Sequence, residues 1–194
     1  MSQQKMALRR QLREALRQMP LTTQGEHSTR LTERLLAQPV WEAAGAILFF
    51  VPAAGEPNLW PVATLALAMG KKVVLPSYSP ATGHYEARIV ADTARDLQPG
   101  QFGILEPSPA SPTYNLKQLD LALVPGIGFT LNGGRLGRGK GYYDRLLEQV
   151  PGFKCGVAFD CQLVDVLPLE SHDVRLNCIL TPTRWHLVSA PLRS

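Results

Sequence analysis

Short apolar runs alternate with helix-patterned stretches along most of this chain, and that alternation leaves few folds open. Residues 46–51 (Ala-Ile-Leu-Phe-Phe-Val) and 119–125 (Leu-Asp-Leu-Ala-Leu-Val-Pro) are bounded by Gly and Pro and are short for helices. Such runs predict buried strands. Residues 72–76, 154–159 and 177–181 read the same way, the last as the final strand, and 85–91 alternates like an edge strand. Residues 58–69, stopped by Gly70, and 142–150 read as helices. At the N-terminal end, Leu8, Leu12, Ala15, Leu16 and Met19 repeat at helical spacing up to Pro20. A second helix is predicted from an N-cap at Thr22 or Thr23 to about Gln38. Strands alternating with helices predict a three-layer α/β fold, a mostly parallel central sheet with helices on both faces. The 194 residues read as one domain, 1–194, with no internal repeat or linker. The Pro-rich piece 106–112 reads as a surface loop.

Charge narrows the function. The net charge is +4. Residues 1–19 hold five Lys/Arg and one Glu, residues 133–145 hold four Lys/Arg and one Asp, and the remainder is net acidic. Two separated basic segments suit a focused site for a small anion better than a broad nucleic-acid face. In the first segment Lys5, Arg9, Arg13 and Arg17 recur at i, i+4. That stripe is expected to split, the first two residues facing a site and the later ones solvated. No apolar run approaches the roughly 18 residues that cross a bilayer, and the N-terminus lacks the apolar core of a secretory signal. Three cysteines, Cys155, Cys161 and Cys178, have no CxxC spacing. They fit a reduced cytoplasm, and Cys155 and Cys161 read as buried structural thiols. The four histidines have no ligand spacing.

The second basic segment carries the chemistry. Asn132-Gly133-Gly134-Arg135-Leu136-Gly137-Arg138-Gly139-Lys140-Gly141-Tyr142-Tyr143-Asp144-Arg145 interleaves five glycines with four cations. Glycines let the backbone approach a ligand closely, and N–H groups and cations together suit a phosphate. It follows the strand at 119–125, and ligands of α/β folds sit at the C-terminal ends of strands. Gly137, Gly139 and Gly141 give GxGxG, which fails the dinucleotide fingerprint GxGxxG. Gly134 to Lys140 satisfies the GxxxxGK of a P-loop, but Gly141 replaces its Mg²⁺-binding Ser/Thr. A metal would then need a carboxylate, and Asp144 is nearest. One of Tyr142 and Tyr143 is expected to stack on a planar ring and the other to pack in the core; the sequence leaves open which.

These residues resemble a known signature. Val124-Pro125-Gly126-Ile127-Gly128-Phe129 followed by Gly134 to Asp144 is similar to the 5-formyltetrahydrofolate cyclo-ligase family, also called methenyltetrahydrofolate synthetases. The resemblance extends over Lys5-x-x-x-Arg9, Phe50-Val51 with Glu56, Gly103-Ile104-x-Glu106-Pro107, Gln162, and Leu167-Pro168-x-Glu170-x-His172-Asp173. It implies a Rossmann-like, cyclo-ligase-type fold and ATP- and Mg²⁺-dependent closure of 5-formyltetrahydrofolate to 5,10-methenyltetrahydrofolate, with release of ADP and phosphate. By resemblance, Lys140, Arg138 and Tyr142 are catalytic. Lys5, Arg9, Arg135, Gly137, Arg138, Gly139, Lys140, Gly141, Tyr142 and Tyr143 contact ATP. Val51, Glu56, Phe102 and residues Arg138, Gly139, Lys140, Gly141 and Tyr142 contact the folate, which can be polyglutamylated, and Asp144 and Asp173 hold Mg²⁺. The implied enzyme is a cytoplasmic monomer with no nucleic-acid or membrane partner. The chain departs from the pattern after Glu56 (Pro57-Asn58-Leu59-Trp60), at Phe102 where some members carry Trp, and at Asn177 where many carry an acid. The other readings are a non-catalytic member that binds folate or RNA and a nicotinamide-dependent oxidoreductase. The intact loop argues against the first, and the failed fingerprint against the second.

Overall fold

The computed structural model describes residues 3–100, 103–170 and 173–189. The chain opens with three helices, α1 (Gln3–Gln18), α2 (Leu21–Leu36) and α3 (Pro39–Ala43), then β1 (Ala46–Leu48), α4 (Trp60–Ala68), β2 (Lys72–Ser79) and β3 (His84–Val90). A small hairpin follows, β4 (Leu97–Pro99) and β5 (Leu105–Pro107), then β6 (Leu121–Val124). A second hairpin, β7 (Gly128–Phe129) and β8 (Arg135–Leu136), leads to α5 (Tyr142–Leu147), β9 (Phe153–Val157), β10 (Cys178–Leu180) and β11 (Trp185–Leu187).

Seven strands form one sheet in the order β11-β10-β9-β6-β1-β2-β3. The inner five are parallel, and β3 and β11 close the two sides antiparallel. The parallel strands explain the apolar runs, since each is covered on both faces. Residues alternate between two cores. Ile47, Phe49, Val73, Leu75, Leu121 and Leu123 pack toward α2 and α4. Leu48, Val74, Ala122 and Val124 pack toward α5. A third, smaller cluster of Leu12, Ile127, Leu136 and Leu167 seats α1 on the β7–β8 hairpin.

Taken in chain order, the parallel strands run 2-1-3-4-5 across the sheet, with β1 first and β6 third. Crossovers leave β1 toward one side and reach β6 on the other. The crevice between the C-terminal ends of β1 and β6 is therefore the switch point where such sheets bind ligands.

Four sequence expectations change. The second helix begins at Leu21, with Pro20 as its N-cap residue and no side-chain cap. Proline's fixed φ, here −57°, pre-sets the turn into the helix, so no threonine is needed. The strand at 178–180 is not the last, because β11 pairs with it. The short helix α3 starts at Pro39, where the second helix was expected only to stop. Residues 106–112 are not all surface loop: Glu106 and Pro107 belong to β5, and Glu106 is buried, accepting a hydrogen bond from the Tyr78 N–H at 2.8 Å. No helix among the described residues is long and apolar enough to cross a membrane.

Candidate active site

A cavity of about 560 Å³ lies at the switch point. Its floor comes from Phe50 and Val51 after β1 and from Pro125 and Gly126 after β6; residues 135–144 cross it. Gln162, fully buried, holds this geometry. Its amide donates to the carbonyls of Gly126 (2.8 Å) and Ile127 (3.3 Å) and accepts from the Phe159 N–H (2.8 Å). The chain can turn into the loop because the buried carbonyls left by the end of β6 find these partners.

One end of the cavity is cationic. α1 brings in Lys5 and Arg9 from one face, four residues apart. Lys5 Nζ pairs with Glu170 (2.9 Å) and Asp173 (3.3 Å). Burial pushes the Lys5 ammonium down, but its bonds to Glu170 and Asp173 outweigh that, so its pKa is raised. Arg9 is buried and its Nε donates to the Gly137 carbonyl at 2.8 Å, tying α1 to the loop. Burial, then Arg13, lowers its pKa against the opposing pull of Asp173. Arg135, also buried, pairs with Asp144 at 2.7 Å. Two buried donors here, Arg9 Nη1 and Arg135 Nε, have no hydrogen-bond partner among the described residues. Arg13 and Arg17 are exposed, so the basic stripe divides as expected.

The other end is aromatic and acidic. Arg138 crosses to Glu56 at 2.7 Å, and the Glu56 side chain is only 8% exposed. Glu56 also accepts from the Ala53 N–H at 3.0 Å. Between the two ends the loop turns through Gly139 (φ 104°) and Gly141 (φ 66°), conformations that favour glycine. The two tyrosines after it divide their duties. Tyr143 packs on the α5-side core, and burial drives its phenol far up. Tyr142 lies in the cavity wall, 5.5 Å from both Tyr78 and Tyr85, with Lys140 over its ring at 5.9 Å. Burial, then Glu106, pushes the Tyr85 phenol up to about 12.

Every expected site residue that is described faces this one cavity, from Lys5 to Asp173. Phe102 lies outside the described residues, as does His172. Asp144 and Asp173, expected as metal ligands, both line the cavity, and each already holds a cation. Asn177 does not line it. Its side chain accepts from the Lys154 N–H and joins β9 to the approach to β10. The sequence reasoning missed Tyr85 and Glu106 as lining residues. Tyr85 is placed by the β2–β3 pairing, which sets it opposite Tyr78, and Glu106 by its hydrogen bond from the Tyr78 N–H, a contact between β5 and β2 that no local pattern encodes.

Comparison with known proteins agrees with this fold. The family model for the 5-formyltetrahydrofolate cyclo-ligase family matches residues 1–182. The 5-formyltetrahydrofolate cyclo-ligase of Escherichia coli K12 is 29% identical over 89% of this chain and 97% of its own. The mouse enzyme of the same name is 27% identical over 91% and 92%. The solved structure of Aquifex aeolicus 5,10-methenyltetrahydrofolate synthetase superposes with a TM-score of 0.87 at 29% identity, covering 98% of this chain and 95% of that one. With the signature loop, the switch-point cavity and the match along 1–182 all in agreement, the chain belongs to the 5-formyltetrahydrofolate cyclo-ligase family.

Proposed function

We propose that this protein is an ATP- and Mg²⁺-dependent ligase that closes 5-formyltetrahydrofolate to 5,10-methenyltetrahydrofolate in the cytoplasm. One observation carries the reading. The glycine loop is tied by Arg9 to a cationic end of the cavity and by Arg138 to the buried carboxylate of Glu56, so two ligands of different chemistry can meet across it.

The residues fit both ligands. Arg9 Nη1 and Arg135 Nε are buried donors without partners among the described residues, and phosphate oxygens would satisfy them. Lys5, Arg9, Arg135 and Lys140 supply the positive charge a polyphosphate needs. A carboxylate has about four acceptor sites. Glu56 uses two of them on Ala53 and Arg138, leaving two for the amino and ring N–H groups of a pterin edge. Val51 forms the apolar wall beside it. A Mg²⁺ ion would take Asp144 and Asp173, with phosphate oxygens and water completing its shell.

A formamide oxygen is a poor leaving group, and ATP supplies the phosphoryl group that makes it a good one. Folate N10 then bonds to the formyl carbon, the carbon–oxygen bond breaks, and phosphate and the N10 proton depart. Lys140 and Arg138 neutralise charge as it moves onto the transferred group, where fixed cations act most strongly. Tyr142 walls the reacting volume and keeps water from the activated carbon.

The test is to mix the protein with 5-formyltetrahydrofolate, Mg²⁺ and ATP. Growth of methenyltetrahydrofolate absorbance with equal production of ADP is expected. No absorbance change and no ADP would overturn the reading.

A further inference from the structure

A second hollow of about 240 Å³ adjoins the first cavity, lined by His84, Tyr85, Tyr142, Arg145, Glu148 and Gln149 among others. Tyr85 and Tyr142 line both spaces, so an aromatic wall joins them. Their rings meet edge-on at 5.5 Å. The wall stands at the acidic end of the main cavity, where Tyr85 feels the charges of Glu106 and Arg138.

Arg145 is the cation of the second hollow. It is exposed, and it forms no ion pair with a carboxylate among the described residues. Its guanidinium lies over the Tyr142 ring, 5.2 Å from the centroid. A guanidinium stacked on a ring keeps its donor edge available for a carboxylate. The proposed reaction does not use it. Glu148 lines the same hollow and opposes an anion, while Gln149 donates to the Arg145 carbonyl at 3.2 Å.

On the functional reading above, the pterin lies against Glu56. What remains of a folate is a benzoyl ring ending in a glutamate with two carboxylates, and it must leave the cavity somewhere. The aromatic wall suits the ring, and the hollow beyond it holds a guanidinium with no carboxylate partner among the described residues. We propose that this second hollow takes the glutamate end of the folate, with Arg145 as the residue that selects for its carboxylates.

The test compares 5-formyltetrahydrofolate with 5-formyltetrahydropteroate, which lacks the glutamate. A hydrogen bond to a charged group implies that the wild-type protein favours the first in kcat/KM by about tenfold or more. Arg145→Gln should bring that ratio toward one by raising KM for the glutamate-bearing substrate, and Arg145→Lys should keep part of it. A wild-type protein inactive on both substrates would sink the functional reading itself. An active protein whose ratio is the same in wild type and Arg145→Gln overturns the Arg145 assignment. So does a variant that loses both substrates alike, because Arg145 would then act only through Tyr142.

Discussion

Lys140 stands on the loop between two left-handed glycines, so its position is set by the backbone on either side and not by burial. The side chain is exposed, and a truncation there should cost at most about 0.5 kcal/mol of stability. Chemistry is the opposite case: a cation aimed at charge that develops in the transition state is commonly worth about 10²-fold or more in rate. Lys140→Ala should therefore lower kcat by at least about that factor while the melting temperature hardly moves. Full retained turnover would remove Lys140 from the phosphate role. Arg135 could not be tested so cleanly. Its buried pair with Asp144 means that removing either partner leaves an uncompensated charge. That these residues form one cationic set was legible from their interleaving with glycines. Which of them would be buried was not, because Arg9 meets Gly137 from 128 residues away and Arg135 folds back onto Asp144 nine residues on, and neither contact follows a local period.

At the scale of elements, α1 decides whether the cationic end of the cavity exists. Leu12 is buried one turn beyond Arg9 and packs with Ile127, Leu136 and Leu167. The helix also lies so close that a Cβ on Gly128 would collide with the Leu12 side chain. Leu12→Ala should cost about 2–4 kcal/mol. It should also loosen the seat of Lys5 and Arg9, and so raise KM for ATP more than KM for the folate. Denaturation and substrate titrations of the variant check both parts; equal changes in the two KM values would show that the helix does not serve the nucleotide end. This helix was readable because its apolar stripe and basic stripe both follow the helical period. The inner strands were readable because burial on both faces makes them continuously apolar. What escaped were elements whose cause is not periodic. β11 is three half-buried or exposed residues that owe their strand form to pairing with β10. The strand at Glu106 owes its form to the hairpin with β4, and the burial of Glu106 to the Tyr78 N–H.

Across the whole molecule, the strand order that creates the switch point depends on pairings between residues some 75 positions apart, such as Ile47 with Leu121, which no local pattern encodes. The same sheet offers a measure of how far the site is coupled to the fold. Cys155 and Cys178 are fully buried in register on adjacent parallel strands, their sulfurs 3.2 Å apart, and neither lines the cavity. Burial, then contact with Cys178, raises the Cys155 thiol well above its usual range, so it stays protonated and unreactive while the sheet is intact. Cys161 alone is exposed. A thiol reagent should therefore modify Cys161 in the folded protein, more slowly than a free thiol because burial of its sulfur raises its pKa too, and should reach the other two only through opening of β9 and β10. Both strands are interior to the sheet, and the cavity stands on β6, which pairs with β9, and on β1 beyond it. If exposing the thiols requires the cavity to come apart, a ligand bound there must slow the reaction by the factor it contributes to stability. At a ligand concentration of 100 Kd that factor is about a hundredfold. The measurement is the slow phase of thiol modification with and without ATP and Mg²⁺ at concentrations set from their measured affinity. A slow phase that lengthens to that extent means that site and sheet unfold as one unit. An unchanged slow phase means that β9 and β10 open on their own while the site stays formed.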